Sequence, residues 1–192
     1  MKNRIGFVFL PLSSDGYLAT EEDEGVDWLY QFSDAEEDNG GFLKVLSSCQ
    51  AIVMGRLTFD HVAGMEGSPW PYGDTPVYVV TSQSSEMVKI PKHLTGTNIH
   101  VKQIKDKFNL VNLMEYIETT HGATNVYVDG ARTVRECVRL DLIQEMIVTE
   151  IPVTHGSGGI PFLDQQDWNR FSLRSQKTLK KGIVQKVFVS KS

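Results

Sequence analysis

Cysteine is scarce. The chain has 192 residues and only Cys49 and Cys137, too few for a disulfide framework or a zinc knuckle. No Asn-x-Ser/Thr acceptor occurs, and both absences suit a reducing cytoplasm. An excess of positive charge is missing too. The net charge is −5 and the pI about 5.5, which argues against a general nucleic-acid or acidic-membrane surface but leaves room for a local basic pocket. No run approaches the ~18 apolar residues of a membrane span. The start, MKNRIGFVFLPL, has the basic-then-apolar order of a signal peptide. Pro11 interrupts it, no A-x-A site follows and the next stretch is acidic, so a first strand is expected instead.

Most catalytic signatures are missing as well. There is no P-loop, no H-E-x-x-H, no close cysteine pair of the zinc deaminases and no G-x-S-x-G elbow. HGSGGIP comes near G-x-G-x-x-G, but Pro161 stands where the third glycine would be. His61, His93, His100, His121 and His155 form no metal-ligand spacing, so no metal is expected. What is present is ordinary for a globular protein: 41% hydrophobic and 22% charged residues. No repeat or linker divides the chain, and one domain over 1–192 is expected.

Apolar patterning gives the order of elements. Ile5–Leu10, Ala51–Met54, the run PVYVVTS, Asn98–Lys102, NVYVDG and LIQEMIVTEIPV read as strands. A short helix is expected over 26–33, around Val26, Trp28, Leu29 and Phe32. A second carries Phe42, Val45, Leu46 and Cys49 on one face, a third Leu110, Leu113, Met114 and Ile117, and a fourth Val134, Cys137 and Val138. Gly122 fits the end of the third. Residues 61–75 and 156–159 read as loops. FSLRSQKTL and IVQKVFV, joined by Lys180-Lys181-Gly182, read as a terminal hairpin. Strands alternating with helices imply an α/β fold, a mostly parallel sheet with helices on both faces and an antiparallel hairpin at the end.

Three strand ends carry the chemistry: Gly55-Arg56-x-Thr58, Thr81-Ser82-x-Ser84-Ser85 and Asp129-Gly130-Ala131-Arg132-Thr133. The carboxyl ends of parallel strands are where such sheets bind ligands. Arginine presents a rigid fork of donors suited to phosphate. Gly55 lets backbone come close to a ligand. Gly130-Ala131 opens a helix whose free N–H groups and dipole favour pyrophosphate. Together they fit an extended ligand with several phosphates, a dinucleotide, with Arg56 and Ser82 available for a 2′-phosphate.

SSDGYLA, VMGRLTF, VYVVTS, VYVDGARTV and IPVTHGSGGIPFLD follow one another in this order across nearly the whole chain. The sequence resembles the dihydrofolate reductase-like family, and within it the reductase domain of the riboflavin-biosynthesis deaminase-reductases in its stand-alone form. That resemblance implies an NADPH-dependent hydride transfer to a C=N or C=O group of a pterin- or pyrimidine-like molecule. It implies that Gly55, Arg56 and Thr58 meet the adenosine phosphates, that Thr81 and Ser82 flank the 2′-phosphate, and that Gly130 and Ala131, followed by Arg132 and Thr133, cradle the pyrophosphate and nicotinamide. Ser14, Asp15, Gly16, Leu18 and Ala19 would cover the nicotinamide, and Trp28 would stand near a substrate pocket shared with the 156–161 loop. The family usually has Gly-Gly where this chain has Asp129-Gly130. Asp38 is nearest by spacing to the carboxylate that dihydrofolate reductases place in the substrate-facing helix.

Each residue also has a plainer reading. Arg56 could pair with a surface acid, and Thr58 and Asp129 could be helix N-caps. Asp15-Gly16 is first a tight turn, Trp28 is core-like, and the acidic run 21–38 is a solvated face. Asp15, Trp28 and Asp38 are the catalytic candidates. The expected partners are a small-molecule substrate and, through the hairpin edge, a second copy of the chain; nucleic acid and membrane are not expected. The alternative function is a catalytically weak nucleotide-binding or regulatory module on the same fold.

Overall fold

The computed structural model describes residues 5–20, 29, 32, 38–65, 69–156 and 159–191. In chain order the elements are β1 (Ile5–Ser13), β2 (Tyr17–Thr20), α1 (Asp38–Ser47), β3 (Ala51–Gly55), α2 (Arg56–Ala63), β4 (Val77–Thr81), β5 (Ile99–Gln103), α3 (Lys107–His121), β6 (Asn125–Asp129), α4 (Ala131–Arg139), β7 (Ile143–Ile151), β8 (Gly159–Pro161), α5 (Gln165–Trp168), β9 (Phe171–Thr178) and β10 (Val184–Ser190). The described residues group into two compact units, one built on 48–142 and one on 7–47 with 143–192.

The first unit carries a parallel ladder in the order β5-β4-β3-β6. Its three inner strands read as unbroken apolar runs because both of their faces are covered. Ala51 to Met54, Val77 to Val80 and Val126 to Val128 are all buried. The register sets Gly55 opposite Val80 and Met54 opposite Asp129, so three strand ends finish side by side. Leu110, Leu113, Met114 and Ile117 are buried along α3 at the expected spacing, and Gly122 follows it at φ +60. Thr133, Val134, Cys137 and Val138 form the buried stripe of α4. Burial raises the Cys49 and Cys137 thiols to about 12, consistent with packing rather than reactivity.

In the second unit β7 pairs antiparallel with β10, and β10 with β9, across a connection in which Lys181 and Gly182 have positive φ. This is the hairpin expected from sequence. Gln185, 5% exposed, donates from Nε2 to the Gly40 carbonyl (2.9 Å) and to Thr149 Oγ1 (3.2 Å), which satisfies a buried amide.

Two expected loops are shortened. Residues 61–63, at the start of the first, are the last turn of α2, which follows β3 without a break and buries Phe59 and Ala63 one helical turn apart; the described residues from 64 to 75 are turns and irregular chain, as expected. Gly159 belongs to β8, which pairs with β2; a Cβ at Gly159 would lie 2.2 Å from the Tyr17 ring, so only glycine fits under it. α5 is an addition, started by Asp164, whose carboxylate accepts the Asp167 N–H at 2.8 Å. Trp28 and most of the helix expected over 26–33 lie outside the described residues, as do Ser157 and Gly158.

Candidate functional site

The register of the parallel ladder brings the ends of β3 and β6 together, and a helix leaves each end at once. α2 starts after Gly55, and α4 after Gly130. Neither helix has a side chain capping its first turn. The opening N–H groups of a helix lack intrahelical acceptors, and the helix dipole is positive there. Two such ends beside each other offer a place where an anion can be cradled.

The glycines fit this tightly. Gly130 has φ +88, and a Cβ on it would lie 2.5 Å from Thr58 Oγ1 and 3.5 Å from the Gly55 nitrogen. A Cβ on Gly55 would lie 2.9 Å from Thr133 Oγ1. The structure therefore packs Gly55, Thr58, Gly130 and Thr133 against one another, four of the residues expected at the site. Thr58 is the third residue of α2 and Gly55 its N-cap, which corrects the capping alternative for Thr58. Thr81 is buried and its Oγ1 accepts the Gln83 N–H at 3.1 Å, shaping the turn that exposes Ser82. Ala131 is half-buried and Arg132 exposed.

Arg56 opens α2, and its Nη1 pairs with Asp60 Oδ2 one turn further on. A cation at a helix N-terminus opposes the dipole, and a basic residue preceding its acid at i,i+4 is the weaker order. Helix stability is therefore not what Arg56 serves best. Sequence reasoning left the acid unnamed, although the i,i+4 spacing of Arg56 and Asp60 was there to be read.

Asp129 is not the cap of α4; Gly130 is. The Asp129 carboxylate turns onto its own neighbour, accepting the Gly130 N–H at 2.7 Å, and is also bonded by the Tyr127 hydroxyl. Burial raises its pKa, and these two hydrogen bonds partly offset the rise. Burial and the nearby Asp129 charge raise the Tyr127 and Tyr72 hydroxyls in turn. The i,i+2 spacing of Tyr127 and Asp129 puts both on one strand face, a signal that alternation alone could have supplied.

In the second unit, Asp15 works as a clamp. Its carboxylate accepts Ser13 Oγ–H at 2.6 Å, the Gly156 N–H at 2.8 Å and the His155 N–H at 3.1 Å. Beside it Ser14 donates to the Val153 carbonyl from both N and Oγ, at 2.8 Å each. Burial pushes the Asp15 pKa up, but the hydrogen bonds from Ser13, Gly156 and His155 outweigh it, leaving a net shift below 3.8. A carboxyl held ionised is poorly suited to donate a proton. Its folded pKa is depressed, so its contribution to stability is fully present above pH 3.8 and is lost as pH falls through the folded value. Asp15→Asn should lower the urea midpoint at pH 7, with the gap to wild type closing below pH 3.8; a gap that is constant with pH would contradict the clamp. Ala19 lies in β2 opposite Ile160. Asp38 is the first residue of α1, and its side chain lies outside the described set. Among the described residues no helix is long and apolar enough to cross a membrane.

Residues 6–185 match the family model of the RibD C-terminal domain. The chain is 29% identical over 170 residues to the uncharacterized protein YwjB of Bacillus subtilis strain 168, covering 88% of this chain and 89% of that protein. It is similar to the crystal structure of a Shewanella sp. PV-4 protein provisionally assigned to riboflavin biosynthesis, with a TM-score of 0.80 and 26% identity over 98% of this chain and 99% of that one. A diaminohydroxyphosphoribosylaminopyrimidine deaminase/5-amino-6-(5-phosphoribosylamino)uracil reductase of Thermotoga maritima shares the fold, with a TM-score of 0.66 and 13% identity over 98% of this chain and 57% of that one. The fold is dihydrofolate reductase-like, as the sequence resemblance implied.

Proposed function

The chain belongs to the RibD C-terminal domain family, and from that premise we propose that it is an NADPH-dependent reductase acting on a C=N or C=O group of a pterin- or pyrimidine-like small molecule, resembling 5-amino-6-(5-phosphoribosylamino)uracil reductase. One observation carries the reading: two uncapped helix N-termini meet at adjacent strand ends, with glycines where a Cβ would collide and an arginine at the rim. NADPH, when bound, supplies the hydride. The chain's own residues bind and orient it. The amides opening α2 and α4 hold the phosphates, and Gly55 and Gly130 let the two helix starts pack closely enough to present those amides together. Thr81 shapes the rim, and Arg56 with Ser82 meets the 2′-phosphate. A homodimer belongs to the same reading, because β9 is the last strand of its ladder and is exposed along 172–178.

The test is a fluorescence titration with NADPH and NADH. A charge-assisted hydrogen bond contributes about 1.5–3 kcal/mol. Arg56→Ala should therefore weaken NADPH roughly 10- to 100-fold, leave NADH within about twofold of wild type, and leave the melting temperature unchanged or higher, since a cation leaves the helix start. Equal loss for both cofactors would remove the 2′-phosphate role.

A second reading, a binding module without turnover, is favoured by Asp129, whose carboxylate takes the Gly130 N–H nearest the cradle. NADPH binding with no oxidation across a panel of pterins, pyrimidinones and quinones would select it. Absence of binding would end both readings.

A further inference from the structure

We propose that Asp60 is a specificity-determining residue that restrains the preference for a 2′-phosphorylated dinucleotide by holding the Arg56 guanidinium away from the anion cradle. The inference rests on the cofactor reading of that site. Arg56 is the first residue of α2, next to the uncapped N–H groups, while its ionic partner lies four residues later. At 1.5 Å rise per residue, that partner is about 6 Å further along the helix axis, in the direction away from the cradle. The ion pair therefore draws the guanidinium toward the second turn of α2. A phosphate at the strand ends needs the same guanidinium at the first turn.

The side chains are 32% and 42% exposed, so the pair stands in water, where such contacts are weak. A ligand dianion can exchange for it, but binding then starts from a cation already paired. That weakens binding of the ligand carrying the extra phosphate and leaves one that lacks it unaffected, because only the extra phosphate recruits the guanidinium. Asp60 thus tunes affinity without touching the ligand.

The experiment measures Kd for NADPH and NADH by fluorescence titration in wild type, Asp60→Asn, Arg56→Ala and the double variant, with the melting temperature of each. Asp60→Ala serves as a second substitution should the asparagine fold poorly. Asp60→Asn should tighten NADPH about threefold, the upper part of the range for an exposed pair, and leave NADH unchanged. In the Arg56→Ala background the same change should have no effect on NADPH, because the coupling runs through the guanidinium. A purely structural Asp60 would alter both cofactors together or neither. If Arg56→Ala costs NADPH affinity while Asp60→Asn does not improve it, or improves NADH equally, this proposal fails and the cofactor reading stands. If wild type binds neither nucleotide, both fall.

Discussion

Phe59→Ala is expected to destabilise the protein by about 3–5 kcal/mol, the range for truncating a buried phenylalanine. Phe59 is fully buried, and with Ala63 it is the buried side of α2. Its ring meets Trp70 edge-on at 6.1 Å, and Trp70 in turn meets Tyr72 at 4.9 Å. An eight-residue helix does not persist in water on its own propensity, so this one aromatic anchor decides whether α2 is formed. Measured by urea unfolding, the loss should lower the melting temperature by roughly 10 °C at 2–4 °C per kcal/mol. It should also lower nucleotide affinity beyond what the unfolded fraction explains, because the first turn of α2 carries Arg56 and half of the cradle. Leu57, 73% exposed on the same helix, supplies the control; Leu57→Ala should stay within about 0.5 kcal/mol. A loss below about 1 kcal/mol for Phe59→Ala would mean that α2 is held by something other than its aromatic anchor.

The same helix shows why part of the fold was illegible in the sequence. α3 was read from its four-residue apolar stripe, and β3, β4 and β6 from runs with both faces covered, because those patterns repeat within a short window. α2 offers Phe59 and Ala63 to the core with Val62 half-buried beside them, while Leu57 points to solvent. Three positions within one turn make too short a stripe to stand out, and the glycines and prolines from Gly64 onward dominate any window that includes them. β2 and β8 pair residues about 140 positions apart, and the contact that selects Gly159, the Tyr17 ring, has no local trace.

The site divides in the same way. Gly55, Arg56 and Gly130 stand out as candidates in the sequence because glycine and arginine at strand ends carry a conformational and a chemical meaning of their own. Partners were not. That Asp15 binds the amides of His155 and Gly156 depends on a loop about 140 residues away in the chain. That Asp129 folds back onto Gly130 depends on burial beside Tyr127. Residue type at a strand end predicts what a position can bind, while the fold decides which of those groups has already been taken.

Gly130→Ala tests the cradle itself. Gly130 has φ +88 and ψ 123, a region almost confined to glycine, and a non-glycine residue there costs about 1–3 kcal/mol in backbone strain. The new methyl would also lie 2.5 Å from Thr58 Oγ1, inside any tolerated contact. Together these should cost about 2–4 kcal/mol. The two causes separate experimentally. Thr58→Ala in the same chain removes the collision and leaves the strain, so the double variant should recover part of the loss. Gly55→Ala is the comparison at ordinary φ −70: only Thr133 Oγ1, at 2.9 Å, stands in its way, and about 1 kcal/mol is expected. At a temperature where Gly130→Ala is still folded, NADPH binding should be weakened as well, because a methyl pressed against Thr58 shifts the turn and with it the amides that open α4. An alanine variant as stable as wild type would mean that the turn adapts freely, and the close packing of α2 against α4 would then carry no argument for a phosphate.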